Sequence, residues 1–335
     1  MPEFEYKSFI EQRKMALEEL KMYYRALRKY EYGQDLPIKG IELRKKCFFL
    51  VKLILKIDRL LNLRNLKIIG DKRIPTQKPK IFACTHIGRY DIESAMEAVG
   101  EASWFVMGDP GETYRNVDGL LLRLHGVSWF DMEDKFDAHT VNTRQKKILN
   151  QGGNELVFPE AAWHLDPISP VGDLHPGFIK RAIETNAVIV PVAIEQYRGK
   201  FIKRYYVNIG EIIDLTGATL ANATTIADYV KDELASLKWE IWEKYGQTSR
   251  SNLPKNWEDG YNDFINSIMC DTENGYTIEE IEKTKYHKKD TIPEPTPEEI
   301  FSYLKNLPIK KETAFIARDI INEQNNQSLV LKKTI

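Results

Sequence analysis

Three short stretches of this chain gather side chains able to move protons. The first, Ile81-Phe-Ala-Cys-Thr-His86-Ile-Gly-Arg-Tyr-Asp91, ends an apolar run on a histidine and sets an aspartate five residues later. The second is Leu156-Val-Phe-Pro-Glu160 and the third Val188-Ile-Val-Pro191-Val-Ala-Ile194. An imidazole can take a proton from a hydroxyl on one ring nitrogen while a carboxylate on the other fixes the tautomer and stabilises the imidazolium. Such a base contributes about 10²–10⁴ in rate. The plainer reading is a loop histidine followed by an acidic charge that suits a helix start. With six histidines in the chain, one His-x4-Asp spacing does not separate the two readings.

The elements around these residues decide more. Ile81 to Thr85 has the apolar run of a buried strand, and Asp91-Ile-Glu-Ser-Ala-Met-Glu-Ala opens a helix with acidic residues in its first turn. His86 is then at the carboxyl end of a strand and Asp91 at the next helix start, the edge where open α/β sheets bind ligands. Strand patterns recur at 81–85, 103–107, 126–130, 155–158, 188–194 and 205–210, with helix patterns at 91–99, 116–124, 139–150, 177–186 and about 224–245. The alternation predicts an α/β fold with a mostly parallel central sheet flanked by helices. An N-terminal helical pair (6–31 and 41–63) precedes it and a helical C-terminal extension follows. The expected divisions are 1–64, 65–245 and 246–335, with a Pro-rich linker at 287–297.

Net charge is −1, but its distribution is uneven. Residues 41–80 hold twelve Lys and Arg against three acidic residues, and residues 101–137 hold eight acidic against three basic. Over 41–63, Leu43, Cys47, Leu50, Ile54, Ile57 and Leu61 form an apolar stripe flanked by Phe48, Val51 and Leu55. Lys45, Lys52, Lys56 and Arg59 fall opposite. A basic amphipathic helix of this kind either lies in a membrane interface or packs on the core with a solvated basic face. No uncharged run reaches the ~18 residues that cross a bilayer. Cys47, Cys84 and Cys270 are scattered and lack metal spacing, and the histidines lack ligand spacing, so no metal is expected. With no signal-peptide pattern, the expected location is the cytoplasm, peripheral on the membrane face. Nucleic-acid binding is disfavoured, because the basic segment lacks aromatic stacking platforms.

In their order and separation, the three motifs resemble the glycerolipid and lysophospholipid acyltransferase family, which acylates lysophosphatidic acid and related lipids. The likeness covers about residues 65 to 215. It implies transfer of a fatty acyl group from acyl-CoA or acyl carrier protein, as co-substrate and without a further cofactor, to an acceptor hydroxyl. It also implies His86 as base, Asp91 orienting it and Glu160 hydrogen-bonding the acceptor, with Gly88 as an oxyanion donor. No Ser or Cys stands beside His86 in a nucleophile elbow, so no acyl-enzyme is expected.

The chain departs from the family at two basic positions thought to hold the acceptor's phosphate. Gly126-Val-Ser-Trp-Phe130-Asp131-Met132 ends on methionine, and Phe158-Pro-Glu160-Ala161-Ala-Trp163-His164 has tryptophan where arginine is usual. Each lost charge-assisted contact forfeits about 1.5–3 kcal/mol. Asp131, Glu133, Asp134 and Glu160 would add carboxylates near the site, which favours an atypical lyso-lipid, glycolipid, polyol or amino-lipid acceptor. Trp163 either stacks on a sugar face or packs beneath the site. Arg89, His164, His175 and Lys180 are the candidate replacement cations. If they rebuild the pocket, the acceptor is a 1-acylglycerol-3-phosphate. A silent lipid-binding scaffold of the same fold is the reading outside enzymology, and retention of His86, Asp91 and Glu160 argues against it.

Overall fold

The computed structural model describes residues 4–33, 37–108, 125–131, 134–166, 169–198, 201–246 and 277–288, with single positions at 122, 265–266, 269 and 302. The chain divides into two compact units, Met1–Lys288 and Lys289–Ile335. Of the second unit only residue 302 is described. The helices before residue 65 fall in the same unit as the sheet.

Seven strands make one sheet: β1 (Arg64–Asp71), β2 (Lys80–Cys84), β3 (Ser103–Gly108), β4 (Val127–Phe130), β5 (Asn154–Val157), β6 (Val188–Arg198) and β7 (Lys203–Ile209). Their order is β1-β7-β6-β2-β5-β3-β4, and every pairing is parallel except β6 with β7. The expected mostly parallel sheet is therefore present. β1 is an addition to it. Its mixed exposure, with no clean alternation, hides it from a period-two reading. Pro191 sits in central β6 without breaking it. The β6–β7 ladder begins at Val192, so the missing N–H falls where that pairing has ended.

Eight helices surround the sheet among the described residues: α1 (Phe9–Lys14), α2 (Leu17–Gly33), α3 (Ile41–Leu61), α4 (Asp91–Val99), α5 (Lys135–Asn150), α6 (Gly177–Thr185), α7 (Ala223–Tyr245) and α8 (Ile278–Thr284). The expected first helix is split at Met15, which turns its side chain into a cluster with Leu20, Tyr24 and Trp129. Most of the helix pattern at 116–124, Met132, Glu133 and the linker beyond 288 lie outside the described residues.

α3 and α4 cover one sheet face with Leu55, Met96 and Val99 against Phe82, Phe105, Leu156 and Val190. α5, α6 and α7 cover the other against Ile81, Ala83, Val157 and Ile189. On α3 the buried residues are Ile41, Phe48 and Leu55, seven apart. The expected stripe itself stays outside, with Leu43, Leu50, Ile57 and Leu61 exposed, and Phe49, Leu53 and Leu60 extend it. No described helix is long and apolar enough to cross a membrane.

Candidate active site

β2 ends at Cys84, and the next residue anchors the turn. The Thr85 hydroxyl accepts from Ile194 N and donates to Ile194 O, at 2.8 and 3.2 Å, tying the strand end to β6. His86 follows, and the chain turns through Gly88, whose φ of 152° is glycine territory, into α4. Tyr90 offers α4 no side-chain cap. Asp91, fully buried, reaches back instead. Its Oδ2 accepts from Ile87 N at 2.8 Å and Gly88 N at 3.1 Å and lies 2.6 Å from His86 Nδ1. An Nδ1–H donating to that carboxylate leaves His86 Nε2 unprotonated, and Nε2 has no protein partner among the described residues. The ring lies between Phe158, at 4.5 Å between centroids, and Trp163, edge-on at 6.2 Å.

Two expected site assignments change here. The Gly88 N–H is committed to Asp91 and cannot also receive an oxyanion. Glu160 is 2 % exposed and does not line the cavity. Its Oε1 accepts from His86 N at 3.2 Å, and its Oε2 accepts from Gly172 N at 2.8 Å and lies 2.8 Å from His164 Nδ1. Burial opposes its ionisation, but His164, Lys238 and the Gly172 N–H outweigh burial and hold the carboxyl below its usual range. His164 is equally buried: Nε2 meets Ser169 O at 2.6 Å, and its N–H donates to His86 O at 2.6 Å. This pair clamps the Phe-Pro-Glu loop to the His86 turn. Gly172 leaves the clamp little room for a larger residue, since a Cβ there would lie 3.0 Å from Glu160 Oε2.

Of the acidic residues expected at the site, Asp131, Asp134 and Glu160 already face cationic groups. Asp131 pairs with Arg25 of α2. Asp137 pairs with Arg28 at 2.6 Å and accepts from Asp131 N at 2.7 Å. Asp134 caps α5 and faces Lys29 at 3.6 Å. Asp131 does not line the cavity, so the electrostatic case against a phosphate loses its footing. Cys84 is buried, and burial, then Asp91, push its thiol well above the ordinary range, which makes it a core residue.

His86 opens on a cavity of about 1920 Å³ whose walls include Gly88, Arg89, Asp91, Trp163, His175 and Lys180. Arg89 stacks over Tyr90 at 5.0 Å, and Lys180 is exposed on the first turn of α6. From α3, Phe48, Val51, Ile54 and Leu55 supply an apolar wall. Residues 277–288, which the sequence left without a role, lie against the same loop. Tyr286 N donates to Glu160 O at 3.2 Å, its ring meets His175 edge-on at 5.0 Å, and Ile281 packs in a cluster with Ala162 and Leu165 that Trp163 joins. Among the described residues, no group of His, Cys, Asp and Glu could hold a metal ion.

Residues 65–195 match the family model described as Acyltransferase. Among solved structures, the chain is similar to the 1-acyl-sn-glycerophosphate (LPA) acyltransferase PlsC from Thermotoga maritima. The identity is 17% and the TM-score 0.48, over 71% of this chain and 100% of that one. No curated protein matches the chain.

Proposed function

From the match of residues 65–195 to the Acyltransferase family model, we propose that the protein moves a fatty acyl group from a thioester, acyl-CoA or acyl carrier protein, to a hydroxyl of a lipid acceptor. The 2.6 Å contact between His86 and Asp91 at the mouth of an apolar cavity carries the reading. His86 Nε2 takes the acceptor's hydroxyl proton as its oxygen attacks the thioester carbon. The tetrahedral intermediate collapses with loss of the C–S bond, and the imidazolium returns the proton to the leaving sulfur. Asp91 holds the tautomer and balances the transient charge. Glu160 acts at one remove, by fixing the backbone on either side of His86 through the loop clamp.

The acyl chain lies along the α3 wall. The acceptor enters beside Trp163, and a lyso-lipid or glycolipid without the glycerol phosphate group remains the leading choice, because the two motif arginines are replaced. A phosphate-bearing acceptor is the second reading, and the presence of Arg89 and Lys180 in the cavity wall favours it. The exposed apolar row of α3, bordered by Lys45, Lys52 and Lys56, seats the protein on an anionic membrane surface, each cation contributing about 1 kcal/mol. Leu50→Glu together with Leu53→Glu should abolish sedimentation with anionic vesicles; unchanged binding would remove α3 as the anchor.

The decisive assay is mass spectrometry of products from the purified protein and His86→Ala, with palmitoyl-CoA or palmitoyl carrier protein and a pool of lysophospholipids and glycolipids. A product absent with His86→Ala establishes the reaction, and its mass names the acceptor. A lysophosphatidate product would select the second reading. No His86-dependent product from any donor would overturn acyl transfer at this site.

A further inference from the structure

Among the described residues, two buried polar side chains in the cavity wall have no part in the reaction above, Gln145 of α5 and His125. His125 precedes β4, is 6 % exposed and lines the cavity with Phe48 and Phe105 beside it, at 5.7 and 6.1 Å between ring centroids. Among the described residues, neither of its ring nitrogens has a hydrogen-bond partner. Leaving a buried polar group unpaired costs about 1–3 kcal/mol, so an orphaned imidazole between two phenylalanine rings marks a place where a ligand atom belongs.

Its position identifies which part of a ligand reaches it. Ring contacts bound the separation. His86 lies 4.5 Å from Phe158 and His125 lies 6.1 Å from Phe105, between centroids. Phe105 pairs with Leu156, two residues before Phe158, which sets the two phenylalanines about 8 Å apart on neighbouring strands. The two histidine rings are then at most about 20 Å apart. Carbon–carbon bonds of about 1.5 Å at tetrahedral angles advance an extended chain about 1.3 Å per carbon, so His125 meets such a chain at about its tenth to fourteenth carbon.

Resting on the reading of this cavity as the acyl site, we infer that His125 recognises a single oxygen function, a hydroxyl, in the distal half of a long acyl chain. The ring is neutral at working pH, because burial and then the nearby Arg44 press its pKa down to about 3. A neutral imidazole offers one donor and one acceptor, which matches a hydroxyl better than a carboxylate.

The test uses the full chain with hexadecanoyl- and octadecanoyl-CoA, unsubstituted or with one hydroxyl near the thioester or in the distal half. The distal hydroxyl should raise kcat/KM about three- to tenfold over the unsubstituted donor, the worth of one net hydrogen bond. His125→Phe should reverse that preference, and His125→Gln should keep part of it. A wild type that treats all donors alike, or a distal preference that survives in His125→Phe, overturns the inference. Calorimetric binding of the free distal-hydroxy and unsubstituted acids to the wild type supplies an arm without turnover. Discrimination there without transfer from any donor would sink the acyltransfer reading and keep the site, and equal binding would sink the site.

Discussion

Two histidine–carboxylate pairs stand side by side in this molecule, built from nearly the same groups and put to opposite uses. His86 and Asp91 approach to 2.6 Å, and His164 and Glu160 to 2.8 Å. The difference lies in the second ring nitrogen. The His86 side chain is 19 % exposed and turns to the cavity an Nε2 with no partner among the described residues, whereas the His164 side chain is 4 % exposed and spends Nε2 on Ser169 O. A histidine can exchange protons only where one nitrogen is left to substrate or solvent. A histidine with both nitrogens bound is a bracket. The two pairs are also joined, since Glu160 accepts from His86 N and His164 N donates to His86 O. The inert pair thus holds the backbone of the reactive one.

Removing the reactive ring should give the largest effect. His86→Ala should lower kcat by at least about 10²–10⁴. The melting temperature should fall less than with Glu160→Gln, because Asp91 keeps the Ile87 and Gly88 N–H groups when the ring is gone. Initial rates and thermal melts on the same samples check both. A large loss of stability together with activity would erase the distinction between the two pairs.

Glu160→Gln should strike stability first. Uncoupling a buried pair costs about 3–5 kcal/mol, which in a domain of this size lowers the melting temperature by roughly 10 °C. The pH dependence has a definite sign. The folded-state pKa of Glu160 lies below its unfolded value of about 4.5, so its stabilisation is fully present above that pH and is lost as pH falls through the lower folded value. Glu160→Gln should flatten the acid limb of a stability–pH profile. A raised KM for the acceptor with an unchanged melt would return Glu160 to the acceptor.

A smaller effect separates the acceptor readings. Lys180→Ala should raise KM several-fold for a phosphate-bearing acceptor and leave KM for a neutral glycolipid within twofold, since an exposed cation contributes at most about 1 kcal/mol. Equal effects on both acceptors would remove Lys180 from headgroup recognition.

What the sequence could express was local. His86 and Asp91 lie five residues apart on one strand-to-helix turn, and the helix was legible as 91–99 because its apolar spacing and its closing Gly100 are contiguous. The clamp was not legible. Glu160 and His86 are 74 residues apart, and the arginines that neutralise Asp131 and Asp137 lie 106 and 109 residues away on α2. A carboxylate read without its distant partner looks available to substrate. The same limit applies to α3. Periodicity found its apolar stripe, but only the packed sheet determines that Phe48 and Leu55 go inward while Leu50 and Ile57 stay out.

The turn that links the two pairs holds the smallest expected effect. Ala161 follows Glu160 and adopts a left-handed φ of 64°. A Cβ in that region costs about 1–2 kcal/mol, offset in part by the looser unfolded chain that glycine brings. Ala161→Gly should therefore stabilise the protein by up to about 1 kcal/mol, read as a melting temperature higher by roughly 2–4 °C. The methyl group also lines the cavity. If the strain is retained because that methyl shapes the acceptor's entry, Ala161→Gly will be more stable and less selective among acceptors at once. If selectivity is untouched while stability rises, the strain serves neither pair, and the loop clamp alone accounts for the conformation around His86.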